Sequence, residues 1–296
     1  MMEFLNFYLI PGVVLGCIYA LGAIGISLTF GILRFSNFAH GDTMTLGVYI
    51  TLSLVHVSGA HPLAVAPVAM LLTAGLALGM DRAFFKPFRT SPTIMLVIAS
   101  FGLMLMIRSA VQFFWGVQLQ AMQTGIQRPW VFLDSLRILP KHVLIIGATI
   151  VLMMAVHLLL TRTKIGKAMR ATSDNPELAA LTGIDTEQVI RATWIMGASL
   201  AVAAGVFLAL DTHVETMMGF KLLLPMFAAA ILGGIGKPYG AVMGGLVIGV
   251  AEELSAYPWI GVEPLLPPGY KAGVAFAIMV AMLIWRPQGL LRGRQF

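Results

Sequence analysis

Residues 161–190 read TRTKIGKAMRATSDNPELAALTGIDTEQVI, the longest polar stretch of the chain. Continuously apolar runs lie on either side, at 142–160 and 192–210. A basic segment of this length has no place in lipid, so the flanking runs are membrane spans and the segment is a loop in water. Outward from it the same pattern repeats. Further apolar spans fall near 8–30, 43–57, 62–80, 93–115, 221–235, 239–254 and 271–285. The fold expected is an all-α polytopic membrane protein with about eight or nine transmembrane segments, each of about 20 residues. Residues 1–296 form a single transmembrane domain, with 161–190 as its cytosolic loop. The segments 43–57, 221–235 and 239–254 are short for a full crossing, so some are half-helices or pieces of a broken helix. Backbone breaks at membrane depth survive only where protein or a water-filled cavity covers them.

Composition agrees. Hydrophobic residues make up 58% of the 296-residue chain and charged residues 11%, well below a soluble domain's roughly 25%. The mean hydropathy is +0.89. A β-barrel is excluded because the runs do not alternate with period two. A net charge of +6 would suggest nucleic acid in a soluble chain. Here the basic residues gather on one side of the membrane, and no nucleic-acid partner is expected. Arg34, Arg82, Lys86, Arg89, Arg162, Lys164, Lys167, Arg170, Arg191, Lys237, Arg286, Arg292 and Arg294 account for 13 of the 19. Arg128, Arg137, Lys141, Lys221 and Lys271 fall on the other side, and Arg108 falls inside a span, near enough its outer end to snorkel. The positive-inside rule puts the first set in the cytosol, the amino terminus outside and the carboxyl terminus inside. Residues 8–30 follow no basic n-region and read as a retained span rather than a signal peptide. Cys17 is the single cysteine, so no internal disulfide forms, and it reads as a small packing residue.

Catalytic chemistry finds no foothold. Gly233-Gly234-Ile235-Gly236-Lys237-Pro238 is the nearest approach to a phosphate-binding loop, but Pro238 stands where the Mg²⁺-binding hydroxyl belongs. The six histidines are scattered without metal-ligand spacing, and no nucleophile elbow occurs. Neighbouring Glu252 and Glu253 point about 100° apart on a helix, so they are no acid–base dyad. No enzyme, catalytic residue, metal or cofactor is expected. Few ionisable groups lie inside the spans, which leaves little to couple to a proton or sodium gradient. Energy has to arrive from outside the chain.

Two segments carry the functional reading. In the loop, Lys164, Lys167 and Arg170 recur every third residue and would share one side of a helix. Asn175, Pro176 and Glu177 are a helix start, as cap, first position and dipole partner. Leu178 to Leu181 supply apolar turns, Gly183 a stop, and Asp185 the cap of the following span. A short exposed helix between two spans offers a grip to a cytosolic motor; the plainer reading is a solvated connector. The second segment, Gly31 to Asp42, breaks an apolar region with Asn37, His40 and Asp42. It is either a cytosolic turn with Asn37 or Asp42 as caps, or a break lining a pathway; structural support is favoured over solute contact. Gly233, Gly234 and Gly236 form a comparable break ahead of another glycine-studded span. Small-xxx-small pairs at Gly12/Gly16, Gly75/Gly79, Gly240/Gly244, Gly245/Gly249 and Gly269/Gly273 mark candidate helix contacts.

Four motifs in order resemble the smaller permease subunit of the high-affinity branched-chain amino-acid ABC importers. They are N-F-A-H-G-D-x-x-x-L-G-x-Y (Asn37 to Tyr49), G-x-A-x-R-A-x-x-x-N-x-x-x-A-x-L-x-G-I (Gly166 to Ile184), G-G-I-G-x-x-x-G-A-x-x-G-G (Gly233 to Gly245) and R-P-Q-G-L (Arg286 to Leu290). The resemblance runs nearly end to end. It implies a multi-pass protein of the bacterial inner membrane that conducts branched-chain or other hydrophobic amino acids. It also implies a second related permease, two cytosolic ATPases and an extracytoplasmic solute-binding protein as partners. Lys167, Arg170, Asn175, Glu177, Leu181 and Gly183 would then belong to the ATPase-coupling loop. Relatives handling urea, short amides or aromatic acids are the alternative, and an autonomous secondary transporter is a more distant one.

Overall fold

The computed structural model describes residues 4–122, 129–132, 136–258 and 267–291. Eleven α-helices are described: α1 (Ile10–Leu33), α2 (Ala39–Ser58), α3 (Pro62–Met80), α4 (Thr93–Trp115), α5 (Pro140–Arg162), α6 (Lys164–Asp174), α7 (Pro176–Leu181), α8 (Thr186–Asp211), α9 (Met218–Gly233), α10 (Pro238–Ser255) and α11 (Lys271–Trp285). All but α6 and α7 coincide with the nine expected spans. Five are long and apolar enough to cross a bilayer outright, counting α1 and α3 with their π-helical extensions, and α9 and α11 are shorter apolar helices. The chain is a multi-span membrane protein. A two-stranded antiparallel hairpin, β1 (Trp130–Phe132) with β2 (Leu136–Ile138), intervenes between α4 and α5.

The helices alternate in direction between two ends. At one end lie the α1–α2 link, the close of α3, α6, α7 and the α9–α10 link. Here Arg89 pairs with Asp81 and, at 2.8 Å, with Glu187 at the start of α8, and Lys86 reaches the same Glu187 at 3.2 Å. This is the basic end, and it carries all but Arg292 and Arg294 of the expected cytosolic set; those two, with Arg128 of the opposite set, lie outside the described residues. At the far end, Asp211 pairs with Lys141 (3.1 Å) and lies 3.2 Å from His142 Nε2, and Lys271 binds Glu253 (2.8 Å).

Small residues decide which helices sit in the middle. Lipid is as apolar as leucine, so close backbone packing rather than water exclusion holds membrane helices together. Glycines 12 and 16 of α1 meet glycines 245 and 249 of α10. A Cβ on Gly249 would come within 2.2 Å of the Gly16 nitrogen. Across the same seam the Tyr19 hydroxyl donates to Glu252 at 2.6 Å. Glu252 and Glu253 therefore serve different partners, as their 100° separation implies. On its other sides α1 packs against α8, and 83% of the most apolar stretch of α8 is buried, against 17% for α5. Helices α1 and α8 are the centre, and α10 covers one face of α1; α3, α4 and α5 are far less buried. The pairs Gly75/Gly79 and Gly269/Gly273 face open space and join no helix among the described residues.

Candidate functional site

The segment from Arg34 to Asp42 is neither a turn in water nor a gap. Arg34 adopts the left-handed conformation (φ 58°), the one non-glycine residue described with positive φ, and it ends α1. The chain then turns inward. Phe35 is buried against Phe85, which stacks on Trp194 of α8 at 5.0 Å. The Phe38 N–H donates to Ser100 Oγ at 3.2 Å. Ser100 lies two turns into α4, so α2 starts about 10 Å below the membrane-facing rim of the basic end. Asn37 Oδ1 accepts the N–H of Ala39 (3.1 Å), the first residue of α2, and satisfies one of that helix's open donors. The cap position itself is Phe38, without a side-chain bond, so Asn37 supports the helix start from one residue further out.

Asp42 is not a cap. It sits in the first turn of α2 with its carboxylate fully buried, and Arg108 grips it with two bonds, from Nε (3.1 Å) and Nη2 (2.9 Å). Arg108 does not snorkel; its guanidinium turns inward and lies 4.5 Å over the Phe220 ring of α9. A buried carboxylate demands this partner, since an unpaired charge here would cost far more than the arginine gains by reaching the interface. Below, the Gly219 N–H donates to Thr45 Oγ1 (3.0 Å), and a Cβ on Gly219 would stand 1.9 Å from the Gly41 carbonyl. The starts of α2 and α9 cross backbone to backbone inside the protein, and α4 closes the junction. His40 is buried at 3% exposure against Gly25, with Nε2 unpartnered among the described residues.

The polar loop folds as read and adds a hairpin. Thr163 Oγ1 accepts from Gly166 N–H (3.0 Å) to open α6, a cap not anticipated although Thr-x-x-Gly shows it. Gly166 presses on α5, where a Cβ would meet the Leu159 carbonyl at 2.1 Å, so α6 doubles back along the basic end. Met169 and Thr172 face inward; Lys164, Lys167 and Arg170 are exposed together. Asn175 Oδ1 caps α7 through Leu178 N–H (3.0 Å), with Pro176 in the first position. Gly183 (φ 84°) ends it: its N–H reaches Ala180 and that of Ile184 reaches Ala179. Asp185 caps α8 by accepting from Glu187 and Gln188. Glu177 is exposed, and Leu178 and Leu181 stand 59% and 84% exposed on a loop that is otherwise polar.

The third segment completes the basic end. Gly233 of α9 touches Gly240 of α10, and Gly234 (φ 105°) and Gly236 (φ 82°) take conformations that a side chain disfavours. The open carbonyls of Leu232 and Gly233 accept N–H groups from Leu290 (2.8 Å) and Leu291 (3.2 Å). This is the work of the R-P-Q-G-L motif: the strap after α11 finishes the end of α9. Gly236 also lies against Gly31 of α1, and Gly31 against Ser173 of α6.

The residues expected to act therefore fall into two groups. Lys167, Arg170, Asn175, Glu177, Leu181 and Gly183 share the basic end with Gly233, Gly234 and Gly236. Asn37, His40 and Asp42 lie deeper, at the crossing of α2, α4 and α9. Sequence reading missed Ser100, Phe220 and the inward role of Arg108. An arginine and an aspartate in separate spans were the available signal, and it lacked only the depth of α2.

Seven apolar helices with two more packed among them, a crossing of two helix starts and an exposed polar loop fit a membrane permease. Comparison with known proteins makes the class specific. The family described as "Branched-chain amino acid transport system / permease component" matches residues 8–283. The chain is 30% identical to the high-affinity branched-chain amino acid transport system permease protein BraD of Pseudomonas aeruginosa, over 96% of this chain and 94% of that one. It is 30% identical to the corresponding permease protein LivH of Escherichia coli strain K12, covering 95% and 93%. Among solved structures, PsaBC from Streptococcus pneumoniae in complex with Fab matches with TM-score 0.54 at 13% identity, over 97% of this chain and 93% of that one, which speaks to the fold alone. The chain belongs to the branched-chain amino acid permease family. It is the permease component of such an ABC transport system and not an enzyme.

Proposed function

We propose that this permease carries branched-chain or other hydrophobic amino acids across the bacterial inner membrane as one transmembrane domain, with its basic end in the cytosol. ATPase and binding-protein partners follow from the family; the specific assembly proposed is a second related permease, two ATPases and one extracytoplasmic solute-binding protein. The observation that carries the coupling role is the contact of Ser173 of α6 with Gly31 of α1, which in turn lies against Gly236 of the glycine break. A motor that pushes on α6 and α7 pushes on the end of α1 and, through it, on the loop that leads into α10. Exposed Leu178 and Leu181 supply the apolar anchor, with Glu177 and the basic row of α6 around it. ATP-driven closure then biases a two-state bundle between outward and inward access.

The crossing of α2, α4 and α9 serves as support for the pathway, not as its ion-coupling device. Asp42 spends both oxygens on Arg108. Two measurements test the proposal. Purification in mild detergent followed by mass spectrometry should recover two ATPases and a second permease; recovery of this chain alone, monodisperse and active, would overturn it in favour of an autonomous transporter. In the assembled complex, Leu181→Arg or Glu177→Arg should abolish solute-stimulated ATP hydrolysis while membrane insertion stays normal. Unchanged coupling would remove α7 from the contact.

A further inference from the structure

Two cavities adjoin at the basic end. The first, about 260 Å³, lies between α1, α6 and the loop into α10, with Arg170, Ser173, Asp174 and Lys237 on its rim. The second, about 480 Å³, is a groove between α5 and α10 lined by Ile24, Ile150, Met153, Met154 and Met243. Pro238 and Tyr239 belong to both. Tyr239 stands at the junction, half exposed, its hydroxyl 2.8 Å from His157 Nδ1 on α5. The cleft therefore has a polar, basic head and an apolar tail, divided by an aromatic ring of the kind that settles at headgroup depth.

Neither Arg170 nor Lys237 has an ion pair among the described residues. Asp174 is the one carboxylate on the rim, so the two cations leave a net positive head. The start of the 18-residue α10 adds to it. Lys237 occupies its cap position without a side-chain cap bond, and Lys237 and Pro238 both line the cavity, so the positive end of the helix dipole lies at its wall. The groove lies on α5, the most outward-facing of the long helices. An occupant reaching it from the bilayer meets methionines, which adapt to a flexible chain.

We propose that an anionic glycerophospholipid of the cytosolic leaflet occupies this cleft. Its phosphate lies between Arg170 and Lys237 at the start of α10, and one acyl chain runs along the α5–α10 groove. Basic pockets between membrane helices on the cytosolic side hold such headgroups. The proposal rests on the reading of the basic end as cytosolic. Its consequence is regulatory: the lipid would tie α6 to α1 and α10, so acidic lipid would stiffen the path from motor to bundle.

The test uses the complete importer in nanodiscs of equal phosphatidylglycerol and phosphatidylcholine, with native mass spectrometry of retained lipid. The wild type should hold phosphatidylglycerol in preference to phosphatidylcholine. The Arg170→Ala, Lys237→Ala double substitution should reduce that preference about 30-fold, given the effect of two near-surface charges. Met243→Trp, which narrows the groove, should lower retention of both lipids. Equal retention of the two lipids by the wild type, or a preference unchanged in the double variant, would overturn the site. A photo-crosslinker at Met243 should capture lipid; capture of a second permease chain instead would assign the groove to a subunit contact. Protease cleavage of 163–185 in inverted vesicles but not in spheroplasts tests the orientation independently of any lipid result.

Discussion

The two polar interruptions, 34–42 and 163–185, use similar residues to opposite ends. Each has an asparagine accepting from the start of a helix, Asn37 at 3.1 Å and Asn175 at 3.0 Å. Each has an acidic residue in the first turn that follows, Asp42 and Glu177. In the first interruption the carboxylate is buried, and it is held by an arginine from another span and the ring beyond it. In the second the carboxylate is exposed, and the adjoining leucines stand uncovered. The lesson is that depth, not composition, turns a polar segment into architecture or into a docking surface. At membrane depth each donor must be answered within the protein, so the segment becomes rigid. In water it need only hold its own shape, and its surface is free for a partner.

The comparison is broken most severely where backbones touch. Gly219→Leu drives a side chain into the Gly41 carbonyl and should leave almost no monodisperse protein, whereas Gly75→Leu, in open space on α3, should leave the yield unchanged. Size-exclusion profiles of the two variants decide this. Next is Asp42→Ala, which strands Arg108; a loss of about 3–5 kcal/mol is expected. Asp42→Ala combined with Arg108→Leu should recover most of it, because the penalty lies in the unpaired charge. Cys17 is 5% exposed and is the single thiol, so its reaction with a thiol-sensitive dye during heating reports unfolding of the purified chain. A smaller effect separates the two asparagines. Asn37→Ala should cost about 1–2 kcal/mol, and Asn175→Ala about 0.5 kcal/mol, since water replaces the lost bond only at the second. Equal costs would mean that depth does not distinguish the two segments. Least of all for stability is Leu181→Arg, expected within about 0.5 kcal/mol of the wild type. Its effect belongs to coupling, and a large loss of stability would show that α7 is part of the core.

Much of this was legible in the chain. The ends of α4, α3 and α11 fall on the boundaries expected from hydropathy alone. The caps Asn175 and Asp185 and the stop at Gly183 were readable because capping is local: the residue, its neighbour's N–H and the helix start all lie within four positions. The start of α2 was not, and the span expected at 43–57 begins at Ala39 instead. Its first turn contains His40, Gly41 and Asp42, which lower the hydropathy. Only Ser100, Arg108 and Gly219, brought from 62 to 178 positions away, make that turn possible inside the protein. The same distance hid the role of Arg108 and the strap of Leu290 on α9. The glycine pairs were visible as pairs, but nothing in their spacing separated Gly245/Gly249, which build the seam with α1, from Gly75/Gly79, which face open space among the described residues.

The seam between α1 and α10 also sets a clock for biogenesis. Tyr19 and Glu252 are 233 residues apart. At ribosomal rates of about 5–20 residues per second, α1 enters the membrane on the order of 10–50 s before its partner has been synthesised. Its glycine face can wait in lipid without exposing apolar surface to water, and the close packing is gained when α10 arrives. Glu252 cannot wait in the same way, since its carboxyl needs a donor on arrival. The order of synthesis provides one: the hydroxyl of Tyr19 is already in the bilayer when α10 follows.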